Sequence, residues 1–290
     1  MVNALGKGVR TSPRDAMISL ATPREQWGAA FGMHRALDMA GAMAGPILAF
    51  AVLAVAPGAY DAVFLVSLCA GLIGLAVIVV YVPRPRLRAG GRDRAPAVSL
   101  RTAARVVRLP GVGPVLAVSA LLGLTTLGDA FLYLALQDRL GFDVGLFPLL
   151  YVATSLVFLL LAVPMGRLAD RVGRARVFVS GYAALLAVYV TLLMAPGTAS
   201  AVAALVLLGA YYAATDGVLM AWAGESLPDE LRTSGMAMVA TVTSLARLAS
   251  SLLFGLAWTL LGVHAALWMF TFGLMVAMVV ALVLVRRTRS

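Results

Sequence analysis

The chain has 290 residues, of which 62% are hydrophobic and only 12% carry a charge, and its mean hydropathy is +0.96. These values exclude a soluble globular domain and indicate a polytopic membrane protein. The formal net charge is +10. The arginines nevertheless concentrate in a few segments between apolar runs, which is typical of the positive-inside rule and not of a nucleic-acid-binding face.

Residues that carry chemistry in enzymes are scarce in this sequence. Cys69 is the single cysteine and lies in an apolar run, so neither a disulfide framework nor a cysteine metal site is expected. The two histidines, His34 and His264, are expected at opposite sides of the membrane, and no H-E-x-x-H, phosphate-loop or Ser-His-Asp pattern is present. The sequence therefore predicts no enzyme activity and no cofactor.

Apolar runs fill most of the chain, and each is close to the ~20 residues that cross a bilayer as a helix. In chain order, spans 1 to 8 are Ala29–Ala56, Ala59–Val82, Val112–Leu136, Val144–Met165, Val177–Met194, Ser200–Ala223, Met236–Leu261 and Val263–Val285. We therefore expect an all-α polytopic membrane protein with eight transmembrane helices.

Charge divides the chain into three parts. Residues 1–82 form a basic N-terminal segment with spans 1 and 2, residues 83–110 form an arginine-rich cytoplasmic linker, and residues 111–290 form a six-helix bundle. The loops predicted to lie outside contain almost no basic residues, so both termini are expected in the cytoplasm. Arginine almost entirely replaces lysine, which is typical of a GC-rich bacterium and suggests the bacterial inner membrane.

The most informative loop separates spans 4 and 5 and reads Gly-Arg-Leu-Ala-Asp-Arg-Val-Gly-Arg-Ala-Arg from Gly166 to Arg176. Its spacing resembles the G-x-L-x-D-R-x-G-R signature of the major facilitator superfamily. The matching positions are Gly166, Leu168, Asp170, Arg171, Gly173 and Arg174. The resemblance implies a loop that helps to latch the cytoplasmic gate, and the alternative is an ordinary basic loop.

The resemblance also accounts for the order of the spans. The family has twelve helices, with a long linker between the sixth and the seventh, so spans 1 and 2 correspond to helices five and six and spans 3 to 8 to helices seven to twelve. The fold expected is thus a partial major facilitator fold without the first four helices. We expect this chain to be a fragment or a wrongly started reading frame that does not transport by itself.

A short internal repeat supports this correspondence. The segment Pro23–Trp27 precedes span 1, and the similar segment Pro228–Arg232 precedes span 7. Equivalent segments in two halves are what the family's repeated bundles imply.

Span 1 carries a second short motif. Gly41 to Pro46 resembles the G-x-x-x-G-P motif of the family's antiporters, and Asp38, Gly41 and Gly45 share one helical face. The alternative is a seam of small residues that lets helices pack closely. Asp38 is either functional or paired with Arg35 one turn earlier.

Ionisable residues inside spans are costly and usually face a cavity or a partner. Span 3 carries Asp129 in a polar stripe that falls within a sector of about 80° on a continuous helix. The stripe consists of Ser119, Thr126, Asp129, Tyr133 and Gln137. We interpret Asp129 as a proton carrier or an anchor for a cationic substrate, with a tolerated polar core residue as the alternative.

Spans 6 and 7 add Tyr212, Asp216 and Arg247. The resemblance places spans 3 and 6 along the substrate path, with span 7 beside it. Two arrangements remain open, because Arg247 can neutralise Asp216 or reach towards Asp129. The resemblance further implies that Asp170 contacts the N-terminal end of span 1, around Ala29 to Gly32 and close to Arg35.

The function implied is secondary active transport by alternating access, with proton-coupled export of a small organic molecule, either drug-like or a metabolite. The expected partners are this small-molecule substrate, protons and the lipid bilayer, and no nucleic acid. A nutrient uptake symporter and a non-transporting membrane fragment are the alternatives.

Overall fold

A computed structural model of the chain describes residues 11, 14–56, 58–81, 106–107, 109, 111–140, 147–194 and 197–287. Nine long helices lie within these ranges. They are α1 Trp27–Val55, α2 Tyr60–Tyr81, α3 Val112–Gly123, α4 Asp129–Leu140, α5 Phe147–Val172, α6 Arg174–Met194, α7 Thr198–Glu225, α8 Arg232–Leu261 and α9 Val263–Arg287. Most of the predicted linker 83–110 lies outside the described residues, so the domain boundary placed there stays a prediction.

Seven of these helices are long and apolar enough to cross a membrane. They match spans 1, 2 and 4 to 8, and the all-α polytopic fold is thereby confirmed. Span 3 differs, because the structure divides it into the two shorter helices α3 and α4. Helices dominate because a backbone in lipid must satisfy its own N–H and C=O groups.

Packing divides the chain into two units, residues 1–37 with 98–290, and residues 38–97. In the larger unit α7 packs most extensively on α6 and α5, while α8 packs on α3 and α9 on α6. The core between these helices is aromatic, with Tyr182, Tyr189, Tyr211 and Phe254 all fully buried. In the smaller unit Gly45 lines a small groove between α1 and α2.

Tight glycine turns join neighbouring helices of the larger unit. Gly173 adopts a φ of 113° between α5 and α6, and Gly262 a φ of 85° between α8 and α9. Side chains with a Cβ rarely adopt such angles, so these two glycines allow an antiparallel return within one or two residues. The Gly173 turn places the signature Gly166 to Arg174 at the junction of α5 and α6.

Candidate functional site

Helix α3 ends at Gly123 and α4 begins at Asp129. The backbone groups exposed by this break are satisfied by side chains from other helices. The Tyr189 hydroxyl donates to the Thr125 carbonyl at 2.8 Å and accepts from the Leu127 N–H at 2.8 Å, and the Ser250 hydroxyl donates to the Thr126 carbonyl at 2.7 Å. Non-helical backbone at membrane depth is tolerated where protein side chains satisfy it in this way.

The break corrects our expectation of a continuous polar stripe along span 3. Thr126 lies in the break, is buried, and donates its hydroxyl to the Leu122 carbonyl at 2.9 Å. Tyr133 lies on α4 and donates to the Thr154 hydroxyl at 3.2 Å. A helical wheel drawn through residues 119–137 therefore misplaces the two ends of the stripe relative to each other, because α3 and α4 do not share one helical register.

Asp129 is the first residue of α4 and is partly buried. The Tyr212 hydroxyl donates a hydrogen bond to its Oδ1 atom. The N-terminal end of a helix carries a partial positive charge, so this position favours a carboxylate. The structure thus brings Asp129 and Tyr212 together, as two of the residues selected from the sequence.

Arg247 and Asp216 form the second part of the site. Their side chains are separated by 4.0 Å and are about one-third exposed, at 36% and 37%. Arg247 also donates to the Tyr211 hydroxyl at 3.4 Å. Of the two arrangements left open by the sequence, Arg247 therefore adopts the pairing with Asp216 and does not form an ion pair with Asp129.

Tyr211 links the two parts, and it was not among the residues selected from the sequence. Its ring centroid lies 5.0 Å from that of Tyr212 and 5.2 Å from that of Tyr182. Asp129, Tyr212, Tyr211 and Arg247 consequently form a continuous polar and aromatic series across α4, α7 and α8. Although Tyr211 and Tyr212 are neighbours on α7, Tyr212 contacts Asp129 at one end of the series and Tyr211 contacts Arg247 at the other. The helical face shared by Tyr212 and Asp216 did not predict this arrangement.

Gln137, the last member of the predicted stripe, lies two turns beyond Asp129 on α4. Its side chain is partly buried. We leave its role on the substrate path as a prediction.

Asp170 lies near the end of α5 and contacts the start of α1. Its two carboxylate oxygens accept hydrogen bonds from the Gly28 N–H at 2.8 Å and from the Ala29 N–H at 2.9 Å. The prediction that Asp170 contacts this helix end is confirmed. The neighbouring cation is Arg174, whose Nη2 lies 2.9 Å from Asp170, and not Arg35 as expected. We call Asp170, Arg174, Gly28 and Ala29 the latch.

The latch depends on a very close approach of α1 to α5. A Cβ atom on Gly28 would overlap the Gly166 carbonyl oxygen, and one on Gly32 would overlap the Ala162 carbonyl oxygen. Gly166 is the first residue of the signature, and the sequence placed it in the loop between spans 4 and 5. The structure places Gly166 inside α5, where the lack of a side chain allows α1 to pack closely against it.

Trp27 organises the polar side of the latch and was not selected from the sequence. It is 1% exposed, and the guanidinium groups of Arg24, Arg174 and Arg232 lie 5.8, 5.5 and 4.8 Å from its ring centroids. Its indole N–H donates to the Ser19 carbonyl at 3.0 Å. The two cations from elsewhere in the fold, Arg174 of α6 and Arg232 of α8, hold the start of α1 against these two helices.

The internal repeat was the signal that pointed to this cluster. Pro23 and Pro228 both have extended backbone angles, and each precedes a single 3-10 turn and then a long helix. Trp27 and Arg232, the fifth residues of the two segments, stack on each other at 4.8 Å. The equivalent positions therefore meet in space, which sequence similarity alone did not show.

The remaining arginines of the region fall into two groups. Arg174 also donates to the Arg24 carbonyl and lies 3.5 Å from Glu225. Arg171 is exposed at the end of α5. Arg174 is thus the arginine of the signature that contacts the start of the chain's first long helix, while the gating roles of Arg174 and Arg171 stay predictions.

The motif of span 1 separates into two environments. Arg35 forms its ion pair with the buried Asp15, at 3.8 Å, and not with Asp38 as one interpretation held. Asp15 is held in turn by Arg14 at 3.1 Å. Asp38 and Gly41 belong to the smaller unit, and both are partly or fully exposed.

The other members of that motif, Gly45 and Pro46, lie within α1. Gly45 is exposed and lines the groove with α2 described above. Whether this stretch acts as an antiporter motif or as a packing seam is left open by these positions.

Long apolar helices define a polytopic membrane protein, and a broken helix whose backbone is held by side chains and repeated segments that meet are features typical of membrane transporters. The family model of the Major Facilitator Superfamily matches residues 1–161 and 115–290. The chain belongs to this family, as the resemblance of Gly166 to Arg176 implied. Its family is one of transporters and not of enzymes.

A curated relative agrees with this assignment. The chain is 26% identical over 259 residues to an uncharacterised MFS-type transporter of Methanocaldococcus jannaschii. The match covers 88% of this chain and 63% of the relative. The chain thus spans less than two-thirds of the length of that protein.

Proposed function

We propose that this protein is a proton-coupled secondary transporter that exports a small organic molecule, drug-like or a metabolite, by alternating access. The observation that carries the proposal is Asp129, a partly buried carboxylate at the start of α4, directly after the helix break and hydrogen-bonded to Tyr212. Ionisable residues at broken helices mark ion and substrate paths in membrane transporters.

Protonation gives Asp129 a means of coupling. A carboxylate accepts the Tyr212 hydrogen bond strongly, whereas a neutral carboxyl group accepts it less well and loses its attraction to the positive end of α4. Binding of a proton therefore weakens the contact between α4 and α7. If the two access states hold this contact differently, a proton gradient shifts their populations.

Arg247 and Asp216 give the substrate a second point of attachment. The Arg247 side chain is about one-third exposed as a whole, but its Nε atom is buried. This Nε–H has no hydrogen-bond partner among the described residues. An unsatisfied donor of this kind favours a substrate acceptor or a water molecule. The site then offers a carboxylate at one end and a guanidinium at the other, which suits a small molecule with polar groups at both ends.

The latch supplies the gate in this proposal. It ties the first turn of α1 to α5 through a carboxylate, two backbone N–H groups and Arg174. Breaking it frees the α1 end from α5. We place the latch, the arginine-rich segments and both termini on the cytoplasmic side of a bacterial inner membrane, because basic segments are retained there.

Export is favoured over uptake by the G-x-x-x-G-P resemblance of Gly41 to Pro46. A nutrient uptake symporter remains the second candidate, and the direction of flux separates the two. In everted vesicles an exporter accumulates its substrate when the vesicle interior is acidified, whereas a proton symporter for uptake does not.

The test uses everted membrane vesicles prepared from the native host. The vesicles are supplied with a panel of drug-like and metabolite zwitterions, with norfloxacin as the first probe, because a cationic end suits Asp129 and a carboxylate end suits Arg247. Asp129→Asn is expected to abolish flux driven by the pH gradient, because Asn cannot exchange a proton. Asp138→Asn is the matched control, since Asp138 is exposed at the far end of the same helix.

Both variants should be present at wild-type levels. Unchanged flux in Asp129→Asn would return this residue to a structural role. Loss of flux in Asp138→Asn as well would mean that the assay reports folding and not coupling.

A further inference from the structure

A second site lies away from the Asp129 series, between the first turns of α6 and the last turns of α9. The two helices enclose a groove of about 530 Å³ there. Its lining comprises Ala175, Arg176, Val179 and Ser180 from α6 and Met278, Leu282, Val285 and Arg286 from α9. Neither the transport proposal nor the latch uses any of these side chains.

The groove is basic at one end. Arg176 and Arg286 are both exposed, and neither forms an ion pair with an acidic side chain in the part of the chain that the structure describes. Two adjacent cations without a counter-ion repel each other and favour an anion between them. Guanidinium groups bind phosphate with paired N–H donors.

The groove is apolar at its other end. Val179 and Val285 are buried and form its floor, while Leu282 and Met278 continue along α9. Met278 is eight residues from Arg286, so it lies ~12 Å deeper along the helix axis. This direction leads away from the basic end of the bundle and into the hydrocarbon of the bilayer.

We propose that this groove binds one anionic glycerophospholipid of the leaflet at the basic end of the bundle, with its phosphate between Arg176 and Arg286 and an acyl chain along Leu282 and Met278. A free phosphate leaves the apolar part of the groove empty. A soluble acidic protein cannot follow the groove into the hydrocarbon. A phospholipid satisfies both ends, as basic pockets between membrane helices do elsewhere.

Ser180 lies one turn below Arg176, and its hydroxyl donates to the Val177 carbonyl at 2.9 Å, so its hydrogen is used within α6. The headgroup preference therefore depends on charge. Phosphatidylglycerol carries a net negative charge, whereas the choline cation of phosphatidylcholine cancels the charge of its phosphate and is repelled by the two arginines. The groove is therefore expected to prefer phosphatidylglycerol over phosphatidylcholine.

Native mass spectrometry of the detergent-purified protein tests the site. Wild-type protein should retain phosphatidylglycerol in preference to phosphatidylcholine. Arg176→Gln and Arg286→Gln should each weaken phosphatidylglycerol retention roughly fivefold, and the double variant about 25-fold. Arg167→Gln is the matched control, because it removes the same charge from an exposed side chain that does not line the groove.

Equal retention of the two lipids by the wild type overturns the proposal, as does an equal loss in Arg167→Gln and Arg286→Gln. Inorganic phosphate is the arm that separates a lipid from a free anion. If it displaces phosphatidylglycerol at equal concentration, the acyl groove contributes nothing and the lipid is the wrong occupant.

A measurement on the wild type guards against misfolded variants. Phosphatidylglycerol with a photoreactive diazirine in one acyl chain should cross-link to peptides that contain Leu282 and Met278. Cross-links spread evenly over all lipid-facing helices contradict a defined site. Both measurements report lipid binding and not transport. A negative result for transport would therefore leave the lipid site unaffected, and a negative result for lipid binding would leave the transport proposal unaffected.

Discussion

The distance between α1 and α5 is set by single hydrogen atoms on two glycines. Gly28 and Gly166 face each other so closely that the backbone of one lies where the other's side chain would begin. In a membrane there is little hydrophobic gain from bringing helices together, so such close packing is a main source of helix association. The glycines therefore decide whether the N–H groups of α1 can reach Asp170.

Replacement of Gly28 by alanine tests this contact. The added methyl group overlaps the Gly166 carbonyl, so Gly28→Ala is expected to lower the free energy of unfolding by about 1–3 kcal/mol. Gly113→Ala is the control, because no described atom lies within 4 Å of a Cβ at that helical position. Unfolding in mixed micelles measures both. A Gly28→Ala protein as stable as Gly113→Ala would contradict the close approach.

For individual residues, the position of a charged side chain such as Asp170 could be predicted from the sequence more readily than the contacts of an uncharged one such as Trp27. Asp170 was placed correctly at the start of α1, because a signature fixes both the residue and its partner helix. Trp27 was assigned no role of its own, because the sequence singled it out only as the last residue of the repeated segment Pro23–Trp27. Its role depends on Arg174 and Arg232, which lie far away in the chain and converge on it only after folding.

Among the elements, the broken helix is the one with the strongest requirement for outside support. Its backbone from Thr125 to Leu127 relies on two hydroxyl groups, those of Tyr189 and Ser250. An unsatisfied buried backbone group costs about 1–3 kcal/mol. The fully buried Tyr189 satisfies two such groups and Ser250 one, so Tyr189 has the larger effect.

Tyr189→Phe is accordingly expected to destabilise the protein by roughly 2–4 kcal/mol, since it leaves one carbonyl and one N–H unsatisfied while keeping the ring. Tyr60→Phe is a control, because that side chain is exposed. Thermal unfolding in detergent measures the difference. If Tyr189→Phe and Tyr60→Phe unfold together, the hydroxyl does not support the break.

Seven of the eight spans could be predicted, because a long apolar run has few other stable structures in lipid. The break in span 3 could not, because residues 124–127 contain no proline, and the hydroxyl groups of Thr125 and Thr126 can be satisfied within a membrane helix. Gly123 and Gly128 on either side were the available signal. Glycine is common in membrane helices, so this signal is weak by itself.

At the scale of the whole molecule, the repeated segments bring Arg24, Asp229 and Arg232 together beside the latch. The exposed pair Arg24 and Asp229, at 3.7 Å, contributes little, since surface ion pairs are worth about 0–1 kcal/mol. Asp170 and Arg174 are only 9% and 6% exposed, so their interaction is screened far less. The latch energy therefore resides in the signature and not in the surrounding charges.

The effect of Asp170→Asn follows from this comparison. Asn keeps one acceptor oxygen, so its NH2 group must face either the Gly28 or the Ala29 N–H, and Arg174 loses its buried carboxylate. Hydrogen bonds to charged groups contribute about 1.5–3 kcal/mol. A loss of about 3 kcal/mol should increase opening of the latch roughly 100-fold.

Hydrogen exchange at the Gly28 and Ala29 amides measures this opening directly, because both N–H groups are protected by Asp170. Glu230→Gln is the control, since it removes the same charge from an exposed position near Arg232. We expect faster exchange at the two amides in Asp170→Asn and unchanged exchange in Glu230→Gln. In Asp170→Asn the equilibrium should also shift towards the state in which α1 is released from α5. If the two amides exchange at the wild-type rate in Asp170→Asn, the carboxylate does not hold the helix end and the gate must be closed by other contacts.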